Sequence, residues 1–310
     1  MIKLISLLTG GTGGLKLLEG FLEILPQDEI AIIVNTGDDI EFHGLHISPD
    51  LDSTVYLIAG LLDKEKFWGI KGDTFNCLEM MEKYGLETWF SLGDRDLATH
   101  ILRTFLLRKG MTLSTITKLI CKQLGVKARV LPMSDDRVQT YVRTDLGVIS
   151  FQEFWVKHRG EPDVFGIEYR GAEKANPPPE VIETLTSSDA IIFGPSNPIT
   201  SIGPILAVRG IKDTIRRLNC KKIAVSPIVG GQAVSGPAAK LMRGLKMEVS
   251  PFGVALFYKN LIDTLVFDKR DAPLKKAVNS IGIATYVTDT LMVTREDTIR
   301  LASEIMGLIR

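Results

Sequence analysis

Short apolar runs alternate with helix-like patterns at both ends of the 310-residue chain. The runs that predict buried strands are KLISLL, EIAIIVN, DAIIFG, KKIAVSP, TLVFD and IATYVT. Helix-like patterns separate them, with the first helix expected from about Gly14 and the last reading REDTIRLASEIMGLI. Alternation of this kind is typical of a mostly parallel sheet with helices on both faces. The pattern therefore predicts an α/β protein with a Rossmann-like core.

The middle of the chain departs from this alternation. Over 53–125 the apolar residues recur at three- and four-residue spacing, which predicts helices. Over 128–170 the runs ARVLPM, VQTYVRT and GVISFQEFW predict strands, with a hairpin turn at 145–147. We expect one domain over residues 1–310, in which 53–170 is an inserted helical and β-rich region that acts as a lid.

Composition narrows the class of protein. The 37 basic and 37 acidic residues cancel and form no long block of one sign, so a nucleic-acid partner is not expected. Cys77, Cys121 and Cys220 are widely spaced, which suits a reducing compartment. Three prolines interrupt the apolar stretch AIIFGPSNPITSIGPILAV, which a membrane span would seldom tolerate. A cytoplasmic protein without a membrane partner is expected.

A glycine-rich stretch, TGGTGGLK, joins the first predicted strand to the first predicted helix. Its central residues are Gly10, Gly11, Thr12, Gly13 and Gly14. A Walker loop would continue with Gly-Lys-Ser/Thr, and a nicotinamide fingerprint would carry its third glycine where Lys16 stands, so neither motif is complete. Glycine amides before a helix N-terminus nevertheless donate well to anions. The stretch predicts a phosphate site; the alternative is a tight strand-to-helix turn.

An acidic stretch, NTGDDIEFHGLHISPDLDST, follows the second predicted strand. Its carboxylates are Asp38, Asp39, Glu41, Asp50 and Asp52. Because open α/β sheets bind ligands at the carboxyl ends of their strands, these oxygens predict a hard cation, and Mg²⁺ fits best. Zinc is not expected, since the two nearby histidines lack cysteine partners. The alternative is a solvated loop that caps the next helix.

A third stretch, GPSNPITSIGP, follows the run DAIIF. It resembles the nucleophile elbow of hydrolases, but Pro198 replaces the closing glycine. The polar side chains Ser196, Asn197, Thr200 and Ser201 are better interpreted as uncharged donors at a second helix N-terminus. Two phosphate-type turns predict a substrate that contains a diphosphate or a long nucleotide.

Ten motifs in order carry a resemblance to a known family. They are GGTGG, NTGDD, ISPDLDSTVY, GDRDLATH, LPMSDD, FQEFW, RGEPDV, GPSNPITSIGPI, VSPI and SGPA. Together they resemble the 2-phospho-L-lactate transferase family of coenzyme F-420 biosynthesis, from the first strand to nearly the last helix. The alternative is a non-catalytic nucleotide-sugar-binding regulator of the same superfamily, which shares the glycine and acidic loops. A third hypothesis, that the chain is a nicotinamide dehydrogenase, depends on the opening glycines alone.

The resemblance implies a specific reaction. Enzymes of this family move a 2-phospholactyl group, or an enolpyruvyl phosphate group in bacterial relatives, from a guanosine diphosphate-linked donor, lactyl-2-diphospho-5'-guanosine. The acceptor is the ribitol hydroxyl of 7,8-didemethyl-8-hydroxy-5-deazariboflavin (Fo), and GMP leaves. The family requires Mg²⁺ and tends to form homodimers. For this chain the resemblance therefore implies Fo and the nucleotide ester as substrates, Mg²⁺ as cofactor and a homodimer; the choice between the two donors stays open.

The resemblance also implies roles for individual residues. Asp50 and Arg95 match positions that bind Fo, and Asp38 and Asp52 are the expected metal ligands. Asp50 or Asp38 is the expected general base for the ribitol hydroxyl. The nucleotide phosphates are expected at the five residues of the glycine turn and at Ser196, Asn197 and Ser201. Fo is planar, so apolar walls are expected, but spacing does not decide which tryptophans contribute.

Overall fold

The computed structural model describes residues 3–309. The strands in chain order are β1 (Ile5–Thr9), β2 (Ile30–Val34), β3 (Ile40–Phe42), β4 (Leu45–Ile47), β5 (Arg129–Pro132), β6 (Gln139–Thr144), β7 (Gly147–Ser150), β8 (Val164–Arg170), β9 (Ala190–Phe193), β10 (Lys221–Val225), β11 (Ile228–Val229), β12 (Gln232–Ala233), β13 (Thr264–Asp268) and β14 (Ala284–Thr288).

The α-helices in chain order are α1 (Gly11–Ile24), α2 (Pro49–Ile58), α3 (Asn76–Lys83), α4 (Asp96–Arg108), α5 (Leu113–Gln123), α6 (Pro179–Ser187), α7 (Gly203–Ala207), α8 (Ile211–Arg217), α9 (Ala238–Gly244), α10 (Pro251–Phe257), α11 (Lys275–Ser280) and α12 (Arg295–Ile309). Short 3₁₀ helices span Gln27–Glu29 and Lys269–Leu274, and π-helical turns span Glu153–Lys157 and Pro198–Ile202.

The main sheet has seven parallel strands in the order β14-β13-β10-β9-β1-β2-β5. From β1 the chain runs outward through β2 to β5, then returns to the other side of β1 with β9. The strand order therefore reverses between β1 and β9. In open α/β sheets the crevice beyond the carboxyl ends of such a strand pair is the usual ligand site.

The central strands β1, β2 and β9 are buried at every residue, which explains why they appear in the sequence as continuous apolar runs. Side chains of α1, α2, α5 and α12 pack on one face of the sheet. Side chains of the six helices α6 to α11 pack on the other face. The prediction of an α/β fold with helices on both faces is confirmed.

The strands of the segment 53–170 belong to two different sheets. β5 lies inside it but pairs with β2 at the edge of the main sheet, because its buried residues continue the core. β6, β7 and β8 form a separate antiparallel sheet, and the predicted hairpin at 145–147 joins β6 to β7. The lid role of 53–170 stays a prediction.

Two element boundaries differ from those expected. α1 begins at Gly11, three residues before the expected start. The expected strand GVISFQEFW ends at Ser150 and becomes helical, because Ser150 and Glu153 form a reciprocal cap. The Ser150 amide donates to the Glu153 carboxylate at 2.9 Å, and the Glu153 amide donates to the Ser150 hydroxyl at 3.2 Å. No helix within residues 3–309 is both long and apolar enough to span a membrane.

Candidate active site

A cavity of about 400 Å³ opens at the carboxyl ends of β1 and β9, within the size range of small-molecule sites. The turns after these two strands form part of it, together with α2, α4 and the segment that ends at Pro237. Of the residues predicted for the site, the cavity is lined by Gly10, Gly11, Thr12, Gly13, Asp38, Asp50, Asp52, Ser196, Asn197 and Ser201. Gly14 and Arg95 lie outside the lining.

The glycine turn lies directly against the turn that follows β9. A Cβ atom on Gly13 would lie 2.1 Å from the carbonyl oxygen of Pro195, so a larger residue cannot fit there without movement. Gly11 has φ +67°, a left-handed conformation that favours glycine. The Gly10 amide donates to the Ser196 hydroxyl at 3.4 Å. The two predicted phosphate turns therefore form one continuous surface.

Several hydrogen-bond donors face this surface. The Thr12 and Gly13 amides belong to the first turn of α1, where no intrahelical acceptor is available. The Gly11 amide donates to Asp50 Oδ1 at 2.8 Å, so a carboxylate already lies at this helix end. Asn197 Nδ2 is buried and has no hydrogen-bond partner within the described part of the chain. These groups suit an oxyanion; the phosphate site stays a prediction.

Two of the predicted carboxylates are held together by one amide. Asn35 Nδ2 donates to Asp38 Oδ2 at 2.9 Å and to Asp50 Oδ2 at 3.0 Å. Burial, and next the charge of Asp50, raise the pKa of Asp38 well above its ordinary value. Removal from bulk water raises the pKa of Asp50 to about 6, although the Gly11 amide favours its charged form. Asp38 Oδ1 has no partner among residues 3–309.

The other carboxylates of the acidic stretch have different surroundings. Asp39 lies 3.0 Å from His46 Nε2 and accepts a hydrogen bond from the Ser48 hydroxyl at 2.7 Å. Glu41 is exposed on β3. Neither side chain lines the cavity. Sequence spacing alone could not distinguish Asp39 and Glu41 from Asp38. The difference depends on the β3–β4 hairpin, which lies between Asp38 and Asp50 in the chain and returns the chain to the sheet edge.

Asp52 is paired with a buried guanidinium. Both terminal nitrogens of Arg103 contact the two oxygens of Asp52, and Arg103 is 2% exposed. His100 Nδ1 lies 3.6 Å from Asp52, and His100 Nε2 lies 3.4 Å from Asp96. Asp52, Asp96 and His100 are close enough for one cation, with ligand atoms within 4.8 Å of one another. The positive charge of Arg103 disfavours a cation at this position. Of the two predicted metal ligands, Asp38 is therefore the one that has an oxygen without a partner among residues 3–309.

Arg95, predicted to bind Fo, lies at the start of α4 with an exposed side chain. Its guanidinium donates to the Lys71 carbonyl at 3.3 Å, and its backbone amide donates to Asp73 at 2.9 Å. Asp96 and His100 are the residues of the motif GDRDLATH that line the cavity. The Fo-binding role of Arg95 stays a prediction.

Aromatic side chains form much of the remaining wall. They are Tyr56, Phe67, Trp68, Phe90, Phe151 and Trp155. Trp68 and Trp155 both line the cavity and are 41% and 39% exposed. Trp89 instead packs edge to face on Phe42, with ring centroids 5.2 Å apart. The structure thus separates three tryptophans that sequence spacing could not rank.

Sequence reasoning did not single out Tyr56, His100 or Arg103. The signal was present, because Asp96 and His100 are four residues apart in GDRDLATH and so face the same side of a helix. Tyr56 lies on α2, six residues after Asp50. Only the packing of α4 beside α2 brings these side chains together, through the 2.8 Å bond from the Tyr56 hydroxyl to Asp96.

A family model described as 2-phospho-L-lactate transferase CofD matches residues 5–303, nearly the whole chain. The chain belongs to the 2-phospho-L-lactate transferase family. Among its relatives is the 2-phospho-L-lactate transferase of Methanosarcina acetivorans, 46% identical over 302 residues, which are 97% of this chain and 98% of that protein. The protein of that name in Methanocaldococcus jannaschii is 40% identical over 310 residues, 99% of this chain and 98% of that protein.

These matches confirm two predictions, that the chain is a 2-phospho-L-lactate transferase family member and that it is a transferase. A solved structure adds to the fold assignment. A UPF0052-family protein from Bacillus halodurans matches with a TM-score of 0.64 over 99% of each chain, at 17% sequence identity. At that identity the likeness concerns the fold alone, and it agrees with the α/β architecture described above.

Proposed function

We propose that this transferase moves a 2-phospholactyl or enolpyruvyl phosphate group from a guanosine diphosphate-linked donor to the ribitol hydroxyl of Fo, with release of GMP, in coenzyme F-420 biosynthesis. The observation that carries the proposal is the pairing of Asp38 and Asp50 through Asn35, beside a helix N-terminus with free amides. This arrangement offers donors for a diphosphate and carboxylates for a cation and a proton in one cavity.

The donor's diphosphate is assigned to the joined glycine and β9 turns. The Thr12 and Gly13 amides, the Asn197 side-chain amide and the positive end of α1 would bind its oxygens. The phosphate would compete with Asp50 for the Gly11 amide, which Asp50 holds at 2.8 Å. Donor binding would therefore release the Asp50 carboxylate for other contacts.

A Mg²⁺ ion fits the carboxylate pair. Asp38 Oδ1 is buried without a partner in the described chain, and each carboxylate lies within 3.0 Å of the same amide nitrogen. Hard cations favour such oxygens, and a bound cation would favour their charged forms, which burial disfavours. Asp38 and Asp50 would hold the ion, with Asp52 as the weaker ligand because of Arg103. The ion would neutralise the charge of the diphosphate.

The chain needs no side-chain nucleophile for this reaction. The ribitol oxygen attacks the phosphorus that carries the lactyl or enolpyruvyl group, and the bond from that phosphorus to the GMP oxygen breaks. The hydroxyl proton passes to a carboxylate, and Asp50 is suited to accept it because its carboxylate lies at the glycine turn, to which the diphosphate is assigned. The aromatic wall would hold the planar ring of Fo and exclude water.

The test is a transfer assay with Fo, the guanosine diphosphate ester and Mg²⁺, in which GMP release is followed by chromatography. Asp38→Asn should lower kcat by about 100-fold or more, since it removes a charged group from the reacting centre. Asp39→Asn is the matched control, because that neighbour contacts His46 and Ser48 outside the cavity, and it should retain most of the activity. Equal activity of the two variants would reject the assignment.

A binding titration separates this proposal from a nucleotide-sugar sensor. Fo fluorescence should change saturably in the presence of Mg²⁺ and GDP. If the protein instead bound a uridine nucleotide sugar and ignored Fo, the transferase proposal would fail and the non-catalytic alternative would be favoured.

A further inference from the structure

The loop after β2, which carries Asp38, is held by the region of the antiparallel sheet of β6, β7 and β8. The backbone amide of Thr140 on β6 donates to the Gly37 carbonyl at 2.7 Å. The side-chain amide of Gln152, two residues after β7, donates to the Asp38 carbonyl at 2.9 Å. These two bonds hold the peptide groups on both sides of the Asp38 Cα atom, so the backbone that carries this carboxylate has a fixed position.

The side chain of Thr140 packs against the same loop. A Cβ atom built on Gly37 would lie 2.8 Å from Thr140 Oγ1, so the hydroxyl is in direct contact with the loop. Thr140 is 1% exposed, and its hydroxyl has no hydrogen-bond partner within residues 3–309. Asp38 lines the cavity, whereas Thr140 does not. The hydroxyl therefore lies on the protein side of Asp38, where its role concerns this carboxylate and not a substrate.

The Thr140 hydroxyl also acts on the charge of Asp38. Burial raises the pKa of Asp38 most, and the charge of Asp50 raises it further, whereas the Thr140 hydroxyl lowers it, as expected for a donor to the charged form. Asp38 Oδ1 is likewise buried without a partner in the described chain. An ionised carboxylate oxygen has two lone pairs, so Oδ1 can accept a hydrogen bond from Thr140 and still bind a cation.

We infer that Thr140 is a positioning residue for Asp38, whose hydroxyl donates to the carboxylate and orients it in the cavity. The inference rests on the proposed function in taking Asp38 as a ligand of Mg²⁺. A carboxylate that binds a metal is usually oriented by a hydrogen bond from a neighbouring group, and loss of that bond typically lowers metal affinity about 10–100-fold. The antiparallel sheet thereby supports the site through a residue of β6 that does not line the cavity.

The test is a titration of the full-length protein with Mn²⁺, which favours the same oxygen ligands as Mg²⁺ and is followed by electron paramagnetic resonance. Thr140→Val replaces the hydroxyl by a methyl group and should lower Mn²⁺ affinity about tenfold or more. Thr140→Ser keeps the hydroxyl and should stay within about threefold of the wild type, since the hydrogen bond of is retained.

The matched control is Thr144→Val, the same substitution on the same strand. Thr144 lies four residues beyond Thr140, roughly 13 Å away at about 3.3 Å per residue. Its hydroxyl is also buried, but it donates to the Gly147 carbonyl at the β6–β7 hairpin, at 2.9 Å. This control should therefore bind Mn²⁺ as the wild type does.

Two further measurements separate positioning from a merely structural role. GDP affinity, measured by calorimetry without metal, should stay within about twofold in Thr140→Val, because Thr140 lies outside the cavity that the phosphate turns line. In the transfer assay, kcat should fall about tenfold or more while KM for Fo changes less, and Thr140→Ser should retain most of the activity.

Equal Mn²⁺ affinity of the wild type and Thr140→Val would overturn the inference. Parallel losses of Mn²⁺ and GDP affinity, or an equal loss of Mn²⁺ affinity in Thr140→Ser, would also overturn it. If Thr140→Val did not fold, the comparison of Thr140→Ser with Thr140→Ala would decide, because these two variants differ only in the hydroxyl. If the wild-type protein bound no Mn²⁺, with or without GDP, the metal assignment of the proposed function would fail, and this inference with it.

Discussion

The buried pair of Arg103 and Asp52 provides a stability prediction with a defined magnitude. Arg103→Met keeps most of the side-chain stem but leaves the Asp52 carboxylate, 6% exposed, without its charged partner. Removing one member of a buried ion pair costs about 3–5 kcal/mol, because a desolvated charge remains uncompensated. Against a typical total of about 5–15 kcal/mol, this loss is a large fraction of the free energy of unfolding.

The assay is urea unfolding, followed in parallel by circular dichroism and tryptophan fluorescence to check that the transitions coincide. Arg295→Met is the matched control, because Arg295 makes the same two-nitrogen contact with Glu23 on the exposed surface. Surface pairs contribute little, so the control should lose far less stability than Arg103→Met.

A double variant, Asp52→Asn with Arg103→Met, tests the cause of the loss. Its free energy of unfolding should exceed that of Arg103→Met alone by about 1 kcal/mol or more, because the unpaired charge of Asp52 is gone. The reasoning is refuted if Arg103→Met costs no more than the surface control. It is also refuted if the two buried substitutions are simply additive, since the pair would then make no specific contribution.

Three further predictions concern the cavity. Gly13→Ala should sharply weaken GDP binding measured by calorimetry, because the new methyl group would lie 2.1 Å from the Pro195 carbonyl oxygen; unchanged binding would show that the two turns separate easily. With a chelator present, the free energy of unfolding should fall as the pH rises from about 4 to 6. The reason is that the pKa of Asp50 is about 6 in the folded protein and 3.8 in the unfolded chain, so the folded protein holds this proton more tightly. Asp50→Asn should therefore raise the thermal midpoint at pH 7.5 but not at pH 4, and equal shifts at both values would contradict this. Fo should quench tryptophan fluorescence, and the double variant Trp68→Phe with Trp155→Phe should lose most of that quenching, because these two indoles line the cavity.

Local sequence patterns predicted the elements whose signals are local. The continuous apolar runs of β1, β2 and β9 predicted a buried parallel sheet, because strands covered on both faces carry no polar alternation. The strand expected past Ser150 was wrong, since a reciprocal cap with Glu153 outweighs the β-propensity of the aromatic residues that follow.

The arrangement of the site depended on distant contacts that local patterns do not encode. Asp38, Asp39 and Asp52 have the same chemistry in the sequence, yet the fold gives each a different partner: Asn35, His46 and Arg103. The last of these lies 51 residues from Asp52. The motifs therefore pointed to the segments that line the cavity, whereas contacts between distant segments give each carboxylate its own partner.

The contact between the glycine turn and the turn after β9 also bears on how the protein acquires its site during synthesis. Gly10 and Ser196 are 186 residues apart, and β1 pairs with β9 along the same boundary. Pairings between residues so distant in sequence form late, and domains acquire them only after both segments have left the ribosome. A nascent chain that ends before β9 carries the complete glycine motif but lacks the turn that lies against it. We therefore expect the proposed nucleotide site to form only after the turn that follows β9 has left the ribosome, and chains truncated before that turn to lack it.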